Sequence, residues 1–91
     1  MTRYAFLMHK KHMGTIFRYR DVRIVIRTKD HNPPHVHVVR GDAEAKIEIL
    51  SQKVVLSSGF TRNDLKRIAT FLAEQKDKLF EAWEAIHNEE E

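Results

Sequence analysis

Ninety-one residues suffice for one domain with one core and leave no room for two. A hydrophobic fraction of 42% argues against wholesale disorder, and the absence of cysteine excludes a disulfide framework, a thiolate metal site and a Cys nucleophile. The net charge of +3 is uneven: residues 1–46 carry ten Lys/Arg against four Asp/Glu, and residues 47–91 carry six against nine, so the basic front half points toward nucleic acid or another polyanion.

The chain opens on residues 1–12, where Arg3, His9, Lys10, Lys11 and His12 crowd together without an acid. The apolar run Tyr4-Ala5-Phe6-Leu7-Met8 is too short for a signal-peptide core, and no segment approaches the ~18 apolar residues of a membrane span. These residues read as a flexible extension, residues 13–91 as a single domain, and the protein as cytoplasmic, with no membrane partner.

Thr15 to Tyr19 and Val22 to Arg27 read as the first two strands. Val22, Ile24 and Ile26 alternate with Arg23, Val25 and Arg27, the period-2 pattern of a half-buried strand. Arg20-Asp21 would be the turn, without the Gly or Asn that tight hairpins prefer. Thr28-Lys29-Asp30-His31-Asn32-Pro33-Pro34 follows as a stiff loop, because each residue before a proline is pushed away from helical geometry.

The next strand, His35 to Val39, pairs with Ala43 to Ile49 through a two-residue turn at Gly41-Asp42 of type II′, which wants Gly first. This register sets Val38 opposite Ala45 and Val36 opposite Ile47 on one face. On the other face Val39 meets Glu44, His37 meets Lys46 and His35 meets Glu48. The faces sort into apolar and polar, as a correct register should. A short strand follows at Val54 to Leu56.

A long amphipathic helix closes the chain. Thr61 is its N-cap, Asp64 at N3 completes an acidic capping box, and Phe60 with Leu65 forms a hydrophobic staple. Leu65, Ile68, Ala69, Leu72, Leu79, Trp83 and Ile86 recur at three- and four-residue spacing, with Lys76 interrupting the stripe and a break expected near residues 75–77. The expected fold is α+β: an antiparallel sheet of four to five short strands, covered on one face by this helix, with Leu72 and Trp83 buried beneath it.

The other face of the sheet then stays open. It would carry Arg18, Arg23, Arg27, His35, His37, Glu44, Lys46 and Glu48, with His31 in the adjoining loop. A His near neutrality moves protons, a carboxylate orients it, and Arg or Lys holds phosphate. His35, His37 and Glu44 are the catalytic candidates; Arg18, Arg23, Arg27, Lys46 and His31 are the nucleic-acid contacts. His35 and His37, at i and i+2 on a strand, point the same way and with His31 or Glu48 could ligate zinc. Two certain ligands fall short of the three or four that zinc takes, so no metal or other cofactor is assigned.

The strings Met13-Gly14-Thr15-Ile16, Val22-Arg23-Ile24, Asp30-His31-Asn32-Pro33-Pro34-His35-Val36-His37-Val38 and Gly41-Asp42-Ala43-Glu44-Ala45-Lys46 resemble the small bacterial family called domain of unknown function 4160. The helix with Leu65, Arg67-Ile68 and Glu81-Ala82-Trp83 is similar too, and the His-x-Pro-Pro-His-x-His string is the most specific part. The resemblance covers about residues 13–87. It implies a single-domain protein, often encoded beside another small protein and associated with toxin–antitoxin roles, with His31, His35, His37, Glu44 and Lys46 as aligned candidates. The expectation is a toxin–antitoxin-like component that binds or cleaves RNA or DNA. The alternatives are a non-enzymatic module that docks a small partner encoded nearby, and a His-centred metal-binding protein. A homodimer is a further candidate assembly.

Overall fold

Alternating burial along the strands and a three-to-four-residue apolar stripe along the helices dictate a sheet with one covered face. A computed structural model gives the structure, describing residues 15–27 and 29–88. The extension expected at residues 1–12 lies outside the described residues. Five strands come first: β1 (Thr15–Tyr19), β2 (Val22–Ile26), β3 (His35–Arg40), β4 (Ala43–Glu48) and β5 (Val54–Ser58). Two helices follow, α1 (Arg62–Glu74) and α2 (Lys76–Asn88). The strands form an antiparallel meander in the order β1-β2-β3-β4-β5.

The β3–β4 register is the expected one: Val38 faces Ala45, Val36 faces Ile47, Val39 faces Glu44, His37 faces Lys46 and His35 faces Glu48. Gly41 takes φ 59°, as the first central residue of a type II′ turn must. In the β1–β2 hairpin, Arg20 adopts φ 58° in a turn without glycine. That left-handed conformation costs an L-residue ~1–2 kcal/mol. The Arg20 guanidinium lies 5.6 Å from the Tyr19 ring centroid, a cation–π contact on the hairpin itself.

The core fills the space between the covered sheet face and the helices. Phe17, Ile24, Ile26, Val36, Val38, Ala45 and Ile47 come from the strands; Ile68, Phe71, Leu72, Leu79, Ala82, Trp83 and Ile86 come from the helices. Leu72 and Trp83 are buried, as the stripe requires. The apolar stripe is carried on two helices, since the break falls at Gln75, within the stretch expected. The turn there is tight: the Gln75 N–H points at the carbonyls of both Phe71 (3.0 Å) and Leu72 (3.2 Å).

Asp64 joins helix to sheet. Its Oδ2 accepts from the Thr61 backbone N–H (3.0 Å), while the Asp64 N–H donates to Thr61 Oγ1 (3.0 Å), closing the capping box. The same Oδ2 accepts from the Arg40 guanidinium at 2.9 Å, tying the end of β3 to the start of α1. The Thr61 backbone bond, then Arg40, hold the Asp64 carboxyl down to about 2. Among the described residues no helix is long and apolar enough to cross a membrane.

Two outcomes follow from this packing. Gly59 sits at φ 86°, and a Cβ there would come within 2.9 Å of the Cα and Cβ of Ala43. Gly59→Ala should therefore lower the unfolding free energy in urea by about 1–3 kcal/mol. Asp64 titrates lower in the folded chain than its ordinary 3.8, so its contribution is complete above that value and is lost as pH falls toward about 2. Asp64→Asn should melt earlier than the parent at pH 7, and the gap should close as pH falls through that window.

Candidate functional site

The face away from the helices is assembled by pairing. Arg18 lies opposite Arg23 across β1–β2, and the next row sets Val25 against His37 and His37 against Lys46. Arg18, Arg23 and Arg27 are exposed, and no carboxylate pairs with them among the described residues. Glu44, Lys46 and Glu48 are half-buried on β4. The register thus brings the expected Arg, His, Glu and Lys positions to one face.

The expected exposure of the two histidines is corrected. His35 is only 4% exposed and His37 only 8%. Alternation assigns a side chain to a face but does not say what else covers that face. Here the loop before β3 folds back over it. The Asp30 carboxylate reaches both rings through one oxygen: Oδ2 lies 3.1 Å from His37 Nε2 and 3.3 Å from His35 Nε2. His35 also opens β3, at one end of this central strand, and its ring meets Trp83 of α2 at 5.3 Å between centroids. Its Nδ1 donates to the Pro33 carbonyl at 2.9 Å.

Glu44, the expected orienting carboxylate, places Oε2 3.6 Å from His37 Nδ1, beyond hydrogen-bond distance. That nitrogen is buried and has no hydrogen-bond partner. Burial holds His37 below its usual imidazole range, and the Arg27 charge pushes the same way against the opposing pull of Asp30. His37 is therefore neutral near pH 7, with a lone pair available. The exposed His31 stands over a groove of about 300 Å³ that is also lined by Lys29, Asp30, His35, Lys46 and Glu48.

Two participants were not singled out from sequence. Asp30 is one; its signal was the spacing Asp-x4-His-x-His. His87 is the other. Its Nε2 lies 3.0 Å from the Asp30 carbonyl oxygen, its Nδ1 lies 2.8 Å from that of Trp83, and its ring stacks on Trp83 at 3.8 Å. Nothing local in sequence relates His87 to a loop 57 positions earlier.

The class so defined is a small α+β protein: a five-stranded meander backed by two helices, with an Asp–His–His cluster under a proline-containing loop. The chain belongs to the family described as Domain of unknown function (DUF4160), whose model matches residues 22–84. No curated protein and no solved structure matches it. The matched span holds Asp30, His35, His37, Glu44 and Lys46, and stops short of Arg18 and His87.

Removing the His87 clasp should loosen the loop while leaving the sheet intact. His87→Ala should cost about 1–2 kcal/mol in unfolding free energy, a hydrogen bond with some ring packing. Hydrogen exchange should speed up at residues 29–35 but not in β2 or β4. Unchanged exchange in the loop would show that His87 does not hold it.

Proposed function

We propose that this protein binds nucleic acid through the uncovered face of its sheet, as one component of a toxin–antitoxin-like pair. The observation that carries the reading is the cross-strand placement of Arg18 against Arg23, with Arg27 exposed on the same side. Like charges directly opposite are destabilising, and a phosphate backbone relieves that repulsion while accepting from both guanidinium groups. Lys46 and His31 border the adjoining groove and extend the contact. The reading is binding rather than cleavage: His35 and His37 are covered, and a general acid or base must reach the proton it moves. The family resemblance supports the setting, a small protein that works beside another encoded nearby.

A second reading has an observation of its own. β5 is an edge strand whose Val54, Val55 and Leu56 are exposed, and it carries no Lys or Pro to block pairing. An extended segment of the neighbouring small protein would add there as a further antiparallel strand.

Fluorescence anisotropy with a labelled single-stranded RNA, run across a salt series, separates the two. Arg23→Ala or Arg27→Ala should weaken binding to all sequences alike and lower the salt slope by roughly 0.7–0.9 each. Val54→Asn, a neutral change opposite Ile47 of the covered face and away from Lys46, should leave RNA binding untouched. If the parent protein does not bind RNA or DNA at low salt, the nucleic-acid reading falls. Loss of co-purification with the neighbouring protein in Val54→Asn would then put the docking reading first.

A further inference from the structure

Asp30, His35 and His37 each offer one ligand atom, and the three atoms lie within 4.8 Å of one another. A tetrahedral ion with bonds of about 2.1 Å sets its ligand atoms ~3.4 Å apart. The separations from Asp30 Oδ2, 3.3 Å to His35 Nε2 and 3.1 Å to His37 Nε2, are within a few tenths of that. The elements that hold them are an ordered strand and a loop clasped by α2 through His87.

With both rings neutral and no metal ion between them, the hydrogen bonding of the cluster is frustrated. A carbonyl oxygen only accepts, so His35 Nδ1, 2.9 Å from Pro33 O, must carry a proton. In the neutral ring Nε2 then presents a lone pair to a carboxylate oxygen, acceptor against acceptor. His37 meets the same difficulty at its other end. If its Nε2–H donates to Asp30, its buried Nδ1 turns a lone pair toward Glu44 Oε2, 3.6 Å away, and has no donor of its own. A divalent ion between the three atoms removes both conflicts. Each Nε2 lone pair is donated to the ion, His35 Nδ1–H keeps the Pro33 carbonyl, and His37 Nδ1–H faces the Glu44 carboxylate. Ligating histidines typically donate their other N–H to a backbone carbonyl or a carboxylate. One carboxylate and two neutral imidazoles suit a borderline divalent transition metal.

We propose that Asp30, His35 and His37 form a binding site for a divalent transition-metal ion, zinc being the first to test. His35 and Asp30 also line the groove beneath His31, which leaves a fourth position for water or a ligand on that side. The ion goes beyond the nucleic-acid reading, which rests on the Arg row and needs no metal.

The test is isothermal titration of chelator-stripped full-length protein with zinc, alongside the visible spectrum of the cobalt(II)-loaded parent. One ion per chain at sub-micromolar Kd, with cobalt bands of four- or five-coordinate intensity, supports the site. Asp30→Asn and His37→Ala should abolish that affinity, and Glu44→Gln should weaken it by about 10–100-fold, as loss of an outer partner does. His31→Ala should leave it unchanged. Circular dichroism checks that the variants fold; if a ligand variant does not, the cobalt spectrum of the parent and the Glu44→Gln titration decide. Parent binding weaker than about 1 µM, a six-coordinate aquo-like cobalt spectrum, or affinity that survives in a folded Asp30→Asn would overturn the proposal. The RNA titration is repeated with chelator present: binding there should persist whichever way the zinc result falls.

Discussion

A meander of five strands has two faces, and the described residues include helices enough to cover one. Most of the architecture follows from that shortage. Every strand residue is committed to one side by the two-residue period, so Phe17, Ile24, Val38 and Ala45 go under the helices together. Their neighbours go to the side without a helix. There the chain either tolerates water, as at Arg18, Arg23 and Arg27, or supplies its own cover, as the loop does over His35 and His37. The helices are fastened at both ends of the sheet by side chains that serve two elements at once. Asp64 caps α1 and binds Arg40 of β3; His87 closes α2 and binds the loop.

That loop turns a polar strand surface into a site. Asn32-Pro33-Pro34 gives it few conformations, with a cis bond at Asn32–Pro33. The Ile49 N–H donates to the Pro34 carbonyl at 3.0 Å, which pins the end of the loop against the far end of β4. Asp30 is then held by its backbone, its carbonyl oxygen 3.0 Å from His87 Nε2, and this sets its carboxylate within 3.3 Å of both rings. A carboxylate fixed by its own backbone differs from a surface acid on a flexible stem. It loses little further entropy when it binds something.

How much of this was legible can be followed residue by residue. The β3–β4 register was readable because only one pairing sorts Val36, Val38, Ala45 and Ile47 from His37, Lys46 and Glu48. The helix start was readable because capping is local: Thr61 and Asp64 are three residues apart and complete each other. The break at Gln75 was announced by Lys76 in the apolar stripe. The burial of His35 and His37 was not readable, and neither was the part played by Asp30. Both depend on where a loop without periodicity comes to rest, and that is decided by Trp83 and His87 on an element distant in sequence. Local pattern specifies faces and ends; it carries no information on long-range cover. The His-x-Pro-Pro-His-x-His string directed attention to the right strand, but its first histidine stays exposed and the carboxylate that reaches both rings sits just ahead of it.

The Arg row and the Asp–His–His cluster are neighbours, and they are electrostatically opposed. Arg27 ends the basic row and its charge acts on His37, disfavouring any further positive charge there. A positive charge placed among Asp30, His35 and His37 gains from the carboxylate and loses to Arg27. The face that alternation left without a helix thus carries two adjoining environments of opposite preference. Arg27 stands at their border, and Asp30 supplies the negative charge that lets them coexist.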